Sequence, residues 1–367
     1  MRLEEPSWWY APSDDVRARL LAPLAAVYAW AGERRIRRTQ AYRSRLPVVC
    51  VGNFTAGGTG KTPLALAIAR HLVDEGEHPV FLTRGFKGSH KGPRWVDADH
   101  DTAAEVGDEP LLLARAAPVM VARDRRLGAI AIEEGDRAAS VIVMDDGLQN
   151  PALAKDLAIA VVDGRRGLGN GAVIPAGPLR APLELQMALA DAIVVNQPPA
   201  TAGAPLAAAS TVLEDLRRHF PGPVLAATPM PAGDVAWLAG AAVIAYAGIA
   251  NPGRFFGLLE DLGATITARH AFPDHHPFTE ADAHRLLADA AHRSARLVTT
   301  EKDLVRLMGL GRRRKELMQA STAVPIALAL EDAHGSRLAD LIASAVRSGG
   351  YRSGLAPRRP PPRTTSR

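Results

Sequence analysis

Cysteine is almost missing: the 367 residues hold one, Cys50. That excludes a disulfide framework within the chain and fits a reducing cytoplasm. Set in the apolar run VVCV, Cys50 reads as a small buried side chain. An apolar stretch long enough to cross a bilayer is lacking where the N-terminal region most invites one. LLAPLAAVYAWA, residues 20–31, is twelve residues long and broken by Pro23, against the roughly 20 that a spanning helix needs. Its flanks are also wrong for a secretory signal, because Glu4, Glu5, Asp14 and Asp15 precede it and the arginines of ERRIRR follow. Two readings remain: a helix lying in a membrane interface, with WWY at 8–10 and the arginines at headgroup depth, or a helix packed on the protein's own core.

Positive charge is scarce in the middle of the chain. The net charge is +5, yet residues 1–47 hold nine arginines against five acids and residues 347–367 hold six arginines and no acid, so the 299 residues between are net −5. An enzyme of nucleic acids would carry its basic surface beside its active site. Basic ends suit an anionic surface such as a membrane. The closing stretch SGGYRSGLAPRRPPPRTTSR has almost nothing to bury and is expected to be disordered.

What is present is a large apolar fraction, 47%, enough at this length for a substantial core and two domains. Apolar runs of strand length recur: VVCV, VFLTR (80–84), VIVM (141–144), LAIAVVD (157–163), AIVVN (192–196), VIAYAGI (243–249) and RLVTT (296–300). Helical patterns separate them, which predicts an α/β fold with a parallel sheet covered on both faces. FPGPVLAATPMPAGDV (220–235), dense in Pro and Gly, is the expected linker. The division read from this is an N-terminal interface helix over 1–45, a phosphate-binding domain over 46–222, a smaller α/β domain over 223–346 and a basic tail over 347–367.

VVCVGNFTAGGTGKTP (48–63) joins a β-branched strand to LALAIARHLV (64–73), apolar at helical spacing. Gly57, Gly58 and Gly60 lie at the turn, where a curled backbone and a helix N-terminus can face one anion. Lys61 is placed to reach the outer phosphates of a nucleotide and the Thr62 hydroxyl to ligate Mg2+. The first glycine of G-x-x-x-x-G-K-[ST] is Thr55 in this chain. VIVMDDGLQN sets Asp145 and Asp146 after a strand, at the same sheet edge as the loop, where they can hold Mg2+ directly or through water. VGDEP offers Asp108 and Glu109 before a helix, with helix capping by Asp108 the plain reading. HAFPDHHPFT offers Asp274, His275 and His276, but the spacing, with His270 and His284, matches no common zinc site and finds no Cys partner.

Together VGNFTAGGTGKTP, LTRG, GDEPLLLARAAPVMV, MDDGLQN, VVDGRRGLGNGAVIPAGPLR, AYAGIANPGRFF, FPDHHPFT and VTTEKD resemble, in content and order, the tetraacyldisaccharide 4'-kinase family of lipid A biosynthesis, over about residues 45–307. The resemblance implies two α/β/α domains with the site in the cleft between them. It implies transfer of the ATP γ-phosphate, with Mg2+, to the 4'-hydroxyl of tetraacyldisaccharide 1-phosphate, giving lipid IVA at the cytoplasmic face of the bacterial inner membrane. Asp108 and His275 fall at the family's catalytic pair, with Lys61 as the third catalytic residue. Thr55, Ala56, Gly57, Gly58, Thr59, Gly60, Lys61 and Thr62 would bind ATP, and Thr62, Asp145 and Asp146 the metal. Asn53, Arg84, Glu109, Arg125, Gln149 and Arg180 fall in motif segments near the site. Asn150 and Ala181 stand where the family has His and Glu.

The implied chemistry is consistent: a sugar hydroxyl attacks poorly until its proton is accepted, and His275 oriented by a carboxylate is a suitable acceptor. A rival reading is a nucleotide switch of the GTPase kind, because TEKD (300–303) resembles the guanine-reading N/T-K-x-D with its lysine displaced by one position. A kinase of a soluble small molecule is opposed by the apolar N-terminal segment.

Overall fold

The computed structural model describes residues 5–11, 15–135, 138–197, 206–309 and 311–350. The expected strands form. They are β1 (Val48–Asn53), β2 (Pro79–Thr83), β5 (Val141–Asp145), β6 (Leu157–Asp163), β7 (Ala192–Asn196), β9 (Ala242–Ala247) and β11 (Arg296–Thr300). Between and beyond them lie β3 (Arg94–Trp95), β4 (Val119–Val121), β8 (Val224–Pro231), β10 (Thr265–Ala271), β12 (Ser321–Val324) and β13 (Ile326–Leu330).

Nine strands make one sheet in the order β13-β8-β7-β6-β1-β5-β2-β4-β3, parallel except for the two edge strands β13 and β3. Alternate residues of β1 serve opposite faces, as a strand's pleat requires. Val49 and Val51 pack with Leu64 and Ile68 of the helix Lys61–Asp74 and with Leu338 and Ile342 of the helix Asp332–Gly350. Val48 and Cys50 pack on the other side with Ala129 and Ile132 of the helix Arg125–Gly135. Each such aliphatic side chain, taken wholly from water, contributes about 1.5–3 kcal/mol. A four-stranded parallel sheet, β10-β9-β11-β12, forms the second body.

The boundary expected near 222 does not divide the two sheets. β8, inside the Pro/Gly-rich stretch read as a linker, pairs with β7, and β13 and the helix Asp332–Gly350 return to the large sheet from beyond the small one. Prolines are tolerated in β8 because only its N-terminal half pairs with β7, and its Pro229 and Pro231 face an edge strand. The expected tail lies, from 351 onward, outside the described residues.

The N-terminal apolar stretch is part of one helix, Val16–Arg38, with Pro23 inside it. One side of it is packed, with Ala18 and Ala25 buried, while Leu20, Leu24 and Val27 are 74%, 60% and 64% exposed. Among the described residues no helix is long and apolar enough to cross a membrane.

Candidate active site

β1 is central in the large sheet, so its C-terminal end opens at the middle of one sheet edge, where ligands of parallel α/β sheets bind. The chain leaves β1 at Asn53 and re-enters regular structure at Lys61, first residue of the helix Lys61–Asp74. Gly60 caps that helix with φ +98°, and a Cβ there would come within 2.5 Å of Asn196 Nδ2, so the position demands glycine twice over. Asn196 Nδ2 in turn donates to the Thr59 carbonyl at 2.9 Å. The other side of the loop is tied down by Ala56 N donating to Pro178 O (2.8 Å) and Arg180 Nε donating to Thr55 O (3.1 Å). Thr55, the departure from the glycine pattern, is buried and bridges to Leu179, so it anchors the loop. Asn53 Nδ2 reaches Gly57 O at 3.4 Å, and Gln149 Nε2 donates to Asn53 O at 2.7 Å. Glu5, held by Arg166 and Tyr10, lies against Gly57 across the loop, a contact without a signal in the motif.

Asp145 ends β5, and Asp146 follows with φ +51°. The two carboxylates differ. Asp146 accepts from Arg180 Nη1 at 2.7 Å and lies 3.8 Å from Lys61 Nζ. Burial opposes its charge, but Lys61 and Arg180 outweigh it and hold its pKa down at about 2. Asp145 is buried with Oδ1 unpartnered among the described residues. Burial, then the neighbouring charges of Glu109 and Asp146, push its pKa up to about 7. Arg125 lies beneath the pair, 2% exposed, with Nη2 at 3.4 Å from Asp145 O, and burial lowers its pKa to about 10. A buried carboxylate oxygen without a donor suits a hard divalent cation such as Mg2+, which takes one or two carboxylates and keeps other oxygen ligands. Among the described residues no three His, Cys, Asp or Glu side chains form a self-sufficient metal cage.

The small-sheet body closes the site from the other side. His275, in the loop after β10, has φ +58°, and its Nδ1 lies 2.8 Å from Oδ2 of Asp108, first residue of the helix Asp108–Leu113 on the large body. A carboxylate only accepts, so Nδ1 carries the proton and Nε2 is left as the acceptor. Asp108 also receives Arg306 Nε at 2.6 Å, and Arg306 Nη1 donates to Asp303 Oδ1 at 2.7 Å. Burial would raise the Asp108 pKa, but the His275 bond and the charges of Lys302 and Arg306 hold it well below the ordinary carboxylate range. Lys302 Nζ lies 3.2 Å from Glu109 Oε1 and 3.5 Å from His275 Nε2. Ion pairs thus tie Lys61 to Asp146 on one side of the site, and Lys302 links Glu109 to His275 on the other.

The tetraacyldisaccharide-1-P 4'-kinase family model matches residues 17–343. The chain belongs to that family. It is 47% identical over 319 residues, 87% of this chain and 94% of the relative, to a tetraacyldisaccharide 4'-kinase of Paramagnetospirillum magneticum. It is 49% identical over 308 residues, 83% and 87% of the two chains, to one of Rhodopseudomonas palustris. The crystal structure of "apo" form LpxK from Aquifex aeolicus in complex with ATP has a similar fold, with TM-score 0.69 and 24% identity over 90% of this chain and 99% of that one.

Family membership sets aside the switch reading, and the geometry gives TEKD other work. Thr300 caps the helix Glu301–Arg306, and Asp303 is buried against Arg306 and the Gly248 amide. Sequence reasoning missed the place of Lys302 in the site, and it missed Arg306 and Arg254. The last reaches Asn196 Oδ1 at 3.3 Å and Asp163 Oδ2 at 3.5 Å from the small-sheet body. Arg306 could have been found, since it stands three residues after Asp303 on one helix face. Arg84 is exposed, and among the described residues its side chain makes no hydrogen bond or ion pair. His276 bonds Asp282 at 2.9 Å and stacks on Phe272, and His270 bonds Asp289. Asn150 accepts from Ala152 N at 2.9 Å, and Ala181 is buried with its carbonyl accepting from Gln186.

Proposed function

We propose that this chain moves the γ-phosphoryl group of ATP to the 4'-hydroxyl of tetraacyldisaccharide 1-phosphate through a site split between its two sheets. The kinase activity follows from the family. The observation that carries the assignment of roles is the 2.8 Å contact between His275 Nδ1 and Asp108 Oδ2. His275 Nε2 accepts the hydroxyl proton, and Asp108 holds the ring in the tautomer that can do so and stabilises the imidazolium that forms. Lys61 and the amides over 55–60 stabilise charge on the transferring group, which in a loose transition state outweighs the contribution of the base. Asp145 and the Thr62 hydroxyl would hold Mg2+, which supplies charge neutralisation to the phosphates. Asp146, committed to Arg180 and Lys61, positions the lysine. Asn53, Gln149 and Arg125 brace the loop and the acidic pair, and exposed Arg84 is left to meet the substrate. The working units are the large sheet with its C-terminal return and the small sheet inserted into it.

The acyl chains require a route from a membrane. The exposed face of Leu20, Leu24 and Val27, followed by Arg34, Arg35, Arg37 and Arg38, supports a helix lying in the interface of an anionic membrane, the inner membrane's cytoplasmic face. The test is incubation with ATP, Mg2+ and tetraacyldisaccharide 1-phosphate: a lipid product one phosphoryl group heavier, absent without ATP, is expected, and an unchanged lipid mass would overturn the reading.

A further inference from the structure

Lys302 is a charged group in the cleft that the roles above leave unused. It is the second residue of the helix Glu301–Arg306, carried by the small-sheet body, yet its Nζ lies 3.2 Å from Glu109 Oε1 on the large-sheet body and 3.5 Å from His275 Nε2. An ammonium only donates, and its acceptors here are a carboxylate and the one ring nitrogen that faces away from Asp108. Burial works against its charge, but Glu109 and Asp108 outweigh that and hold its pKa above the ordinary lysine value. Lys302 therefore stays a cation beside the nitrogen that receives the hydroxyl proton.

Glu109 is a partner that can be shared. The bridge is part-exposed, with 23% of the Lys302 and 24% of the Glu109 side chain open to solvent, so it can open toward a third charged group. A phosphoryl group arriving next to His275 Nε2 would come within reach of the lysine, which lies 3.5 Å from that nitrogen.

We infer that Lys302 is a further catalytic residue: a cation carried in by the small-sheet body that exchanges Glu109 for the oxygens of the γ-phosphoryl group in transit. The inference rests on the kinase reading above. In the step, the hydroxyl oxygen bonds to the γ-phosphorus and the bond from that phosphorus to the β,γ-bridging oxygen breaks. The electron pair leaves on ADP and the hydroxyl proton passes to His275 Nε2. Lys302 gives and takes no proton; it offsets charge spread over the equatorial oxygens, as a cation delivered in trans does in related phosphoryl transfers. A site completed only when the small-sheet body is seated would also keep water from being phosphorylated in place of the lipid.

A mere staple between the two bodies would use the same Glu109–Lys302 pair and predicts different results. Lys302→Gln and Lys302→Arg in the full chain separate them, read by lipid phosphorylation at saturating substrates, thermal midpoint, and calorimetric binding of ADP and of ADP with aluminium fluoride in the presence of detergent-dispersed lipid. Lys302→Gln should lower kcat about 10²–10³-fold, the usual loss for one preorganised donor. It should remove a similar factor from the preference for ADP–aluminium fluoride over ADP, with ADP affinity unchanged. If that variant melts below the assay temperature, Lys302→Arg decides, because it keeps the charge and the bridge but moves the charge centre. It should then lose about tenfold or more in kcat at the wild-type thermal midpoint. Wild-type kcat and wild-type nucleotide preference in either folded variant overturn the inference while leaving the kinase reading intact. A wild-type chain that transfers nothing to the lipid overturns both.

Discussion

His275 Nδ1 and Asp108 Oδ2 meet at 2.8 Å across the two bodies although 167 positions separate them in the chain. If they work as one unit, Asp108→Asn and His275→Ala should each lower kcat by roughly 10²–10⁴, the range for general-base catalysis, with smaller changes in the KM for ATP. The double variant should be little worse than the poorer single. His276→Ala, which breaks a pairing with Asp282 outside this contact, should cost stability more than turnover. Steady-state kinetics beside circular dichroism checks this, and fully multiplicative losses in the folded double variant would dissolve the pair.

Lys61 lies 3.8 Å from Asp146 at the start of the helix that follows the phosphate loop. Lys61→Ala should lower lipid phosphorylation by about 10²–10³-fold or more, because it removes a preorganised charge from the transferring group. Thr62→Ala should instead raise the Mg2+ concentration needed for half-maximal rate. Titrating Mg2+ against both variants distinguishes them; near-normal turnover in Lys61→Ala would move the nucleotide site elsewhere.

Asp145 gives a pH dependence with a definite sign. Its pKa is about 7 in the folded chain against the ordinary 3.8, so between those values the folded state keeps a proton that the unfolded chain has lost. Its contribution to stability therefore declines as pH rises through that window. Mg2+ needs the carboxylate, so its apparent affinity should rise with pH, by up to about tenfold per unit below pH 7, and level off above. Thermal shift by Mg2+ between about pH 6 and pH 8 measures it, and Asp145→Asn should flatten the curve.

On the helix Val16–Arg38, Leu20, Leu24 and Val27 are exposed at spacings of four and three residues. Replacing all three by Ser should weaken binding to anionic vesicles by more than tenfold, given about 1.5–3 kcal/mol for each aliphatic side chain fully withdrawn from water. The thermal midpoint should hold, since these side chains are mostly exposed. Vesicle sedimentation beside a melt tests this; undiminished binding would remove the helix from the membrane.

The sequence announced the centre of the fold better than its edges. β1, β5, β6 and β7 are buried on both faces, so their apolar residues run without interruption and can be read directly. β10 is an edge strand whose residues are mostly half-exposed, and TITARHA has no apolar signature to match. β4 is three residues long. The phosphate loop and acidic pair are local motifs and were legible for that reason. Asp108 and His275 meet only through tertiary folding, so resemblance alone could pair them. Lys302 was legible only as the displaced lysine of TEKD, and its place in the site was not, because nothing near it in the chain is its partner: Glu109 lies 193 positions away.

The small sheet is an insertion, and the large sheet is completed only after it. Val49 and Val51 on β1 are among the first core residues to leave a ribosome, while Leu338, Ile342 and Ala345, which cover the same face, are among the last described. Gly349 closes against Pro47 so tightly that a Cβ would come within 2.5 Å of the proline ring's own Cβ. A chain released early, after β12, would carry every motif of the nucleotide site and of the base, with an open apolar seam along its central strand. Exposed apolar surface of that kind draws chaperones and proteases, so the helix Asp332–Gly350 would make a fully translated second half a condition of a stable large sheet.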